Sequence, residues 1–147
     1  MTDTTQTLLN LLADPFERAS LLLQRYDRLL ASAIPERALL TALSDKLDAT
    51  RPAILAAKAW TDKRGTLMLA GHVGTGKTTA AAVWACRVKA EWCWAPDLAG
   101  HTPSKADAAI ERFRAAPHLV IDEIGGQGTT TPAGVERIAR LLSGRYA

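Results

Sequence analysis

Gly71-His72-Val73-Gly74-Thr75-Gly76-Lys77-Thr78 carries the densest chemistry in the chain. Its spacing is G-x-x-x-x-G-K-[ST], the pattern of a loop that cradles phosphates. A polyphosphate needs many donors and little bulk against it. Gly71, Gly74 and Gly76 permit φ values that a side chain resists, so consecutive N–H groups can point inward. Thr79 opens a run of small residues that reads as a helix from Thr78 to about Ala90. The N-terminus of such a helix adds unpaired N–H groups and a partial positive charge. Lys77 suits the β- and γ-phosphates, and the Thr78 hydroxyl suits Mg²⁺. The candidate phosphate contacts therefore run from Gly71 through His72, Val73, Gly74, Thr75, Gly76, Lys77 and Thr78 to Thr79.

A second stretch complements the first. In His118-Leu119-Val120-Ile121-Asp122-Glu123, an apolar run ends in two carboxylates. Ligands of open α/β sheets bind at the carboxyl ends of strands, where the glycine loop would also sit. Asp122 is placed to hold Mg²⁺, directly or through water. Glu123 is placed to orient and deprotonate an attacking water. The candidate catalytic residues are thus Lys77 and Glu123, and the candidate metal ligands are Thr78 and Asp122. Gly125-Gly126-Gln127-Gly128 and Thr129 to Thr131 read as a flexible loop, either a sensor of nucleotide state or a plain connector.

These motifs need elements to position them. Thr66 to Ala70 reads as a buried strand leading into the glycine loop. Trp92 to Ala95 reads as another strand, its tryptophans covering an edge rather than stacking on bases. Pro96 and Gly100 punctuate a turn. Thr102-Pro103 starts a helix that ends before Pro117, by the cap-then-proline rule. A last helix runs from about Pro132 to Arg145, with Val135, Ile138, Leu141 and Leu142 on one side. Upstream, Asp14-Pro15-Phe16-Glu17 opens an amphipathic helix along Phe16, Ala19, Leu22, Leu23, Tyr26, Leu29 and Leu30. That helix either packs on its own domain or docks a partner. Glu36 to Leu47 gives a further helix through Leu39, Leu40, Leu43 and Leu47. Pro52 opens another, with Ile54, Leu55, Ala59 and Trp60 on its apolar side, and Asp62 to Gly65 is the turn into the first strand.

Composition sets the outer bounds. A chain of 147 residues is about one domain, with 22% charged and 48% hydrophobic residues. The net charge of +3 permits nucleic-acid contact without arguing for it. Cys86 and Cys93 lack metal-ligand spacing and read as reduced structural thiols. No segment reads as a signal peptide or a membrane span, so the expected location is cytoplasmic.

Several phrases together resemble the DnaC/IstB type of helicase-loader and transposition-accessory ATPases, within the AAA+ class. They are Ile34-Pro35-Glu36-Arg37, the glycine loop, Pro96-Asp97-Leu98, the run from Arg114 to Gly125, and Arg145-Tyr146. The resemblance runs from about Ile34 to Tyr146. It implies an α/β fold: a P-loop NTPase three-layer α/β/α core with a mostly parallel sheet, incomplete at the C-terminus and preceded by N-terminal helices. Residues 1–50 would be the helical segment and residues 51–147 the partial ATPase core. The implied ligands are ATP and Mg²⁺, with Walker A and Walker B roles for the two motifs. The implied partners are a replicative DNA helicase or a transposase, with single-stranded DNA as a candidate ligand, no membrane, and a homo-oligomeric full-length form.

Two departures from that family matter. Asp122-Glu123 stands where the family often has Asp-Asp, and Glu123 still supplies a carboxylate. The family also continues past Arg-Tyr with a strand bearing a sensor residue, an arginine finger and a small helical region. The strand lies between the glycine-loop strand and the Asp122 strand, so its absence leaves a gap in the sheet unless those two pair directly. The expectation is an N-terminal piece of a longer protein or a truncated product, which binds ATP with weak or absent hydrolysis. Two alternatives stand beside this one. Asp122-Glu-Ile-Gly125 fits the D-x-x-G of GTPases, although no Asn-Lys-x-Asp guanine motif accompanies it. The chain could also serve as a non-catalytic partner-binding module with a vestigial nucleotide site.

Overall fold

The computed structural model describes residues 33–44, 47–60 and 65–145. The amphipathic stretch from Asp14 to Leu30 and the turn at Asp62 to Arg64 lie outside them. The described chain is mixed α/β, with helices around a small parallel sheet. In order, the elements are α1 (Glu36–Leu43), α2 (Pro52–Ala59), α3 (Lys77–Val88), β1 (Glu91–Trp94), α4 (Ala95–Gly100), α5 (Pro103–Ala115), β2 (Leu119–Asp122) and α6 (Pro132–Ser143).

Proline sets the start of α2, α5 and α6, because its fixed φ suits the first helical turn, where its missing N–H is not needed. Only α6 among these three adds a side-chain cap: Gly134 N–H donates to Thr131 Oγ1 at 3.1 Å. Pro96 acts in the same way. It does not end a turn but sits in the first turn of α4, whose Ala95 and Leu98 are buried. The turn expected between Pro96 and Gly100 is therefore a helix. The preceding strand is Glu91–Trp94, one residue earlier than expected.

β1 and β2 pair in parallel, Trp92 opposite Val120 and Cys93 opposite Ile121. Alternation sends successive side chains to opposite faces. Trp92 and Val120 join Ile34, Leu39, Ala82, Ala85 and Cys86, so α1 and α3 cover one face. Alanine lets α3 lie close to the strands. Cys93, Leu119 and Ile121 meet Leu98, Ile110, Phe113 and Leu141, so α4, α5 and α6 cover the other face. Burying one such large side chain fully contributes about 1.5–3 kcal/mol. A third cluster joins Ile54 and Ala57 of α2 to Ala80 and Val83 of α3.

Trp92 is thus a core residue at 3% exposure, not a cover for an edge, whereas Trp94 at 37% is exposed at the strand tip. Several stripes also turned out narrower than the sequence pattern. Leu40 and Leu43 of α1, Leu55 and Ala59 of α2, and Val135 of α6 face outward. The buried apolar side of α2 is Ile54 with Ala57, which pack with Ala80 and Val83 of α3.

The largest departure is Thr66–Ala70, which is extended but pairs with no strand among the described residues. Met68 is 81% exposed, and Leu69 is half-buried against the α2–α3 cluster. An extended segment becomes a strand only when a neighbour takes its N–H and C=O groups. β2 bonds to β1, and it does not pair directly with Thr66–Ala70.

Two arginines tie the helices of one face together. Arg137 Nη1 of α6 donates to the carbonyls of Leu98 (3.3 Å) and Ala99 (2.5 Å) near the end of α4. Arg145 Nη1 donates to the carbonyls of Phe113 (2.6 Å) and Ala116 (2.7 Å) at the end of α5. Both satisfy carbonyls that a helix end leaves without a partner.

Candidate functional site

The glycine loop has the backbone its sequence requires. Gly71, Gly74 and Gly76 have φ values of +145°, +83° and +84°. Gly76 ends the loop in the left-handed region and N-caps α3, whose first intrahelical bond runs from Ala80 N–H to Gly76 O at 2.8 Å. The N–H groups of residues 77–79 precede that bond, so the helix itself cannot satisfy them. His72, Val73, Gly74 and Thr75 are exposed, and Thr79 is half-buried in the first turn.

Lys77 folds back onto the loop. Its Nζ donates to Gly71 O and His72 O, both at 2.8 Å, with Thr75 Oγ1 at 3.4 Å. An ammonium has three donors, and the loop supplies three oxygens. A polyphosphate would offer the same ammonium charged acceptors, which bind it more strongly than neutral carbonyls do. Thr75 Oγ1 donates in turn to His72 O at 2.9 Å.

The two candidate metal ligands meet. Thr78 Oγ1 donates to Asp122 Oδ1 at 3.4 Å, across 44 residues of sequence. Asp122 Oδ1 also accepts the Glu123 N–H at 2.9 Å. Asp122 Oδ2 is buried and has no hydrogen-bond partner among the described residues. A buried carboxylate oxygen without a donor is costly, by about 1–3 kcal/mol or more, and a bound cation would relieve that cost. Mg²⁺ prefers oxygen donors and usually takes only one or two from protein, with phosphates and waters completing its shell. Thr78 and Asp122 fit that donor set. Among the described residues no group of three or more His, Cys, Asp or Glu side chains is arranged for a metal, which such a shell does not require.

Glu123 follows at the strand tip, exposed, with φ +61°. That left-handed conformation in a residue other than glycine costs on the order of 1 kcal/mol. It turns the chain sharply just after Asp122. The structure thus brings Thr78 and Asp122 together, seats Lys77 on its own loop, and leaves Glu123 beside Asp122.

Hydrogen bonds from Gly126, Thr129 and Thr131 cross the segment from Gly125 to Thr131. Thr129 is buried, and its Oγ1 lies 2.7 Å from the carbonyl oxygens of both Ile124 and Gly126. Gly126 N–H donates to Glu123 O at 2.9 Å, and Thr131 Oγ1 donates to Gly128 O at 2.7 Å. Thr129 carries no motif, and only its burial shows its role. Arg51 was equally silent in the sequence. Its Nη1 donates to Gly74 O at 3.4 Å, and its side chain lies against Gly76. Both cysteines are buried, on opposite faces of the sheet, and burial pushes the Cys93 thiol up to about 12.

A scan against protein-family models finds no match for this chain, and searches of curated proteins and of solved structures find no significant one.

Proposed function

We propose that this chain binds ATP with Mg²⁺ on the Gly71–Thr78 loop, as a phosphate-loop ATPase of the helicase-loader or transposition-accessory kind. The supporting observation is the meeting of Thr78 and Asp122 beside the loop, with Asp122 Oδ2 buried and without a partner among the described residues. A chance glycine turn has no reason to place a hydroxyl against a strand-end carboxylate 44 residues away.

The residues divide the work as follows. The positive-φ glycines shape the loop around the phosphates, and the N-terminus of α3 adds donors and positive potential. Lys77 exchanges its loop carbonyls for the β- and γ-phosphates. Thr78 and Asp122 hold the cation, which when bound neutralises charge on the β- and γ-oxygens. Glu123 orients a water for in-line attack on the γ-phosphorus and accepts its proton. The resemblance implies that turnover also needs an arginine from a neighbouring subunit, so the expected behaviour of this chain alone is binding with slow turnover.

The cellular role rests on the resemblance alone. It makes the partner a replicative DNA helicase or a transposase, with single-stranded DNA as a candidate ligand, a homo-oligomer as the acting form, and the cytoplasm as its place. No described helix is long and apolar enough to cross a membrane.

Titration calorimetry with ATP and Mg²⁺ tests the reading. Wild type is expected to bind, and Lys77→Ala to bind about tenfold more weakly or worse, as loss of a charge-assisted bond implies. Equal affinity in both would contradict it. Displacement of ATP by equimolar GTP would instead favour the GTPase alternative.

A further inference from the structure

The outer side of α1 is apolar yet half-exposed. Ala38 and Leu39 are buried, while Leu40 is 50% and Leu43 44% exposed. At about 100° per residue, Leu43 lies about 40° and Leu40 about 100° around the helix from Leu39. The apolar arc thus runs on past the side that meets α3. Leu40 and Leu43 stand three residues apart, so they form one small ridge.

The chain enters α1 through a fixed corner. Ala33 takes a left-handed φ of +61°, uncommon for a residue with a side chain. Ile34, next in the chain, is buried among Leu39, Ala82 and Ala85. Pro35 follows as the N-cap of α1. The sequence upstream therefore joins the fold at a pinned point beside the ridge.

That upstream sequence is the amphipathic stretch from Asp14 to Leu30, whose pattern predicts a helix with one apolar side. Only residues 31–35 separate Leu30 from Glu36. Connections of about 2–8 residues join antiparallel neighbours in helical folds. With Leu30 level with Glu36, the equal rise of two helices sets Tyr26 level with Leu40 and Leu23 level with Leu43. Both Tyr26 and Leu23 belong to the apolar side of the stretch.

The size of the ridge discriminates between occupants. Two half-exposed leucines fall far short of the roughly 1,200 Å² that stable association of separate chains buries. A segment tethered a few residues away needs much less, because its effective concentration is high.

We infer that the stretch from Asp14 to Leu30 docks on this ridge of its own chain, as an antiparallel hairpin with α1, with Tyr26 covering Leu40 and Leu23 covering Leu43. Because α1 packs on α3, the docked stretch buttresses the helix that begins at Lys77. This docking does not depend on the nucleotide reading.

Amide hydrogen exchange of the whole chain, read by mass spectrometry, tests it. An undocked helix of this length is marginal in water, so protection of residues 16–30 reports docking. Wild type is expected to exchange there about tenfold or more slowly than an unstructured chain. Leu40→Glu/Leu43→Glu should bring that segment to within about twofold of the unstructured rate, with the β1 and β2 amides still protected. Leu23→Glu/Tyr26→Glu should do the same from the other side, and decides the matter should the α1 variant unfold. Val135→Glu alters an equally exposed apolar position on α6, beyond the opposite face of the sheet, and should leave residues 16–30 protected. Fast exchange at residues 16–30 in wild type would overturn the docking and leave the stretch to a separate partner. Protection that survives either pair of substitutions would also overturn it. So would protection that is lost on dilution along with a dimeric mass, which would assign the ridge to a second copy.

Discussion

Two glycine-rich loops of this chain are held in opposite ways. In the Gly71–Gly76 loop, carbonyls are taken by charged side chains: Lys77 on Gly71 and His72, and Arg51 on Gly74. In the Gly125–Thr131 loop, carbonyls are taken by neutral hydroxyls and N–H groups from within the loop, with Thr129 as the hub. A cation can leave a carbonyl for an anionic ligand, whereas a buried hydroxyl has nowhere better to go. Similar composition therefore yields a loop suited to binding and a loop suited to holding α6 against the strand tip. The difference lies in what satisfies the backbone, which a count of glycines does not reveal.

The comparison breaks most sharply at two glycines. A Cβ at Gly134 would fall on the Gly128 carbonyl, while one at Gly74 would meet open space. Gly134→Ala is expected to lose about 3 kcal/mol or more in urea unfolding. Gly74→Ala, strained only by its φ of +83°, should lose about 1 kcal/mol. Equal losses would mean that the two loops are equally packed. Next in size is Thr129→Val, which strips the hydroxyl from Ile124 O and Gly126 O and should destabilise by about 2 kcal/mol. Lys77→Ala sits at the other pole, removing bonds at an exposed loop, with an expected stability change within about 0.5 kcal/mol.

These contrasts also mark what was legible in advance. Local rules carried far: Pro52, Pro103 and Pro132 each open a helix, Gly71, Gly74 and Gly76 of the motif all have positive φ, and Asp122 ends a strand beside Thr78. What failed depends on distant partners. Whether Thr66–Ala70 becomes a strand turns on a neighbour, and whether Leu55 or Val135 is buried turns on which helix faces it. Pro96 is ambiguous locally, since proline both ends and begins helices, and the burial of Leu98 among α5 and α6 decides the matter. Arg51 reaches Gly74 from 23 residues upstream, which no local pattern encodes.

The smallest expected effect concerns Cys93, whose thiol is raised from 9.0 to about 12 by burial, only partly offset by Arg112. A raised folded value means that stability is fully present below pH 9.0 and declines as pH rises towards 12. Urea melts across that window should therefore fall less steeply for Cys93→Ala than for wild type. The slower reaction of native Cys93 with iodoacetamide, relative to denatured chain, checks the same burial.

The most direct measurement is the Mg²⁺ dependence of ATP binding in wild type and Asp122→Asn, read by thermal shift with and without Mg²⁺. The substitution keeps the shape and the Oδ1 acceptor but removes the charge that a cation at Oδ2 would require. The account expects Mg²⁺ to deepen the ATP-induced shift in wild type and to add little in Asp122→Asn. An equal Mg²⁺ effect in both proteins would contradict the assignment of Asp122, and with it the meeting of Thr78 and Asp122 as the heart of the site.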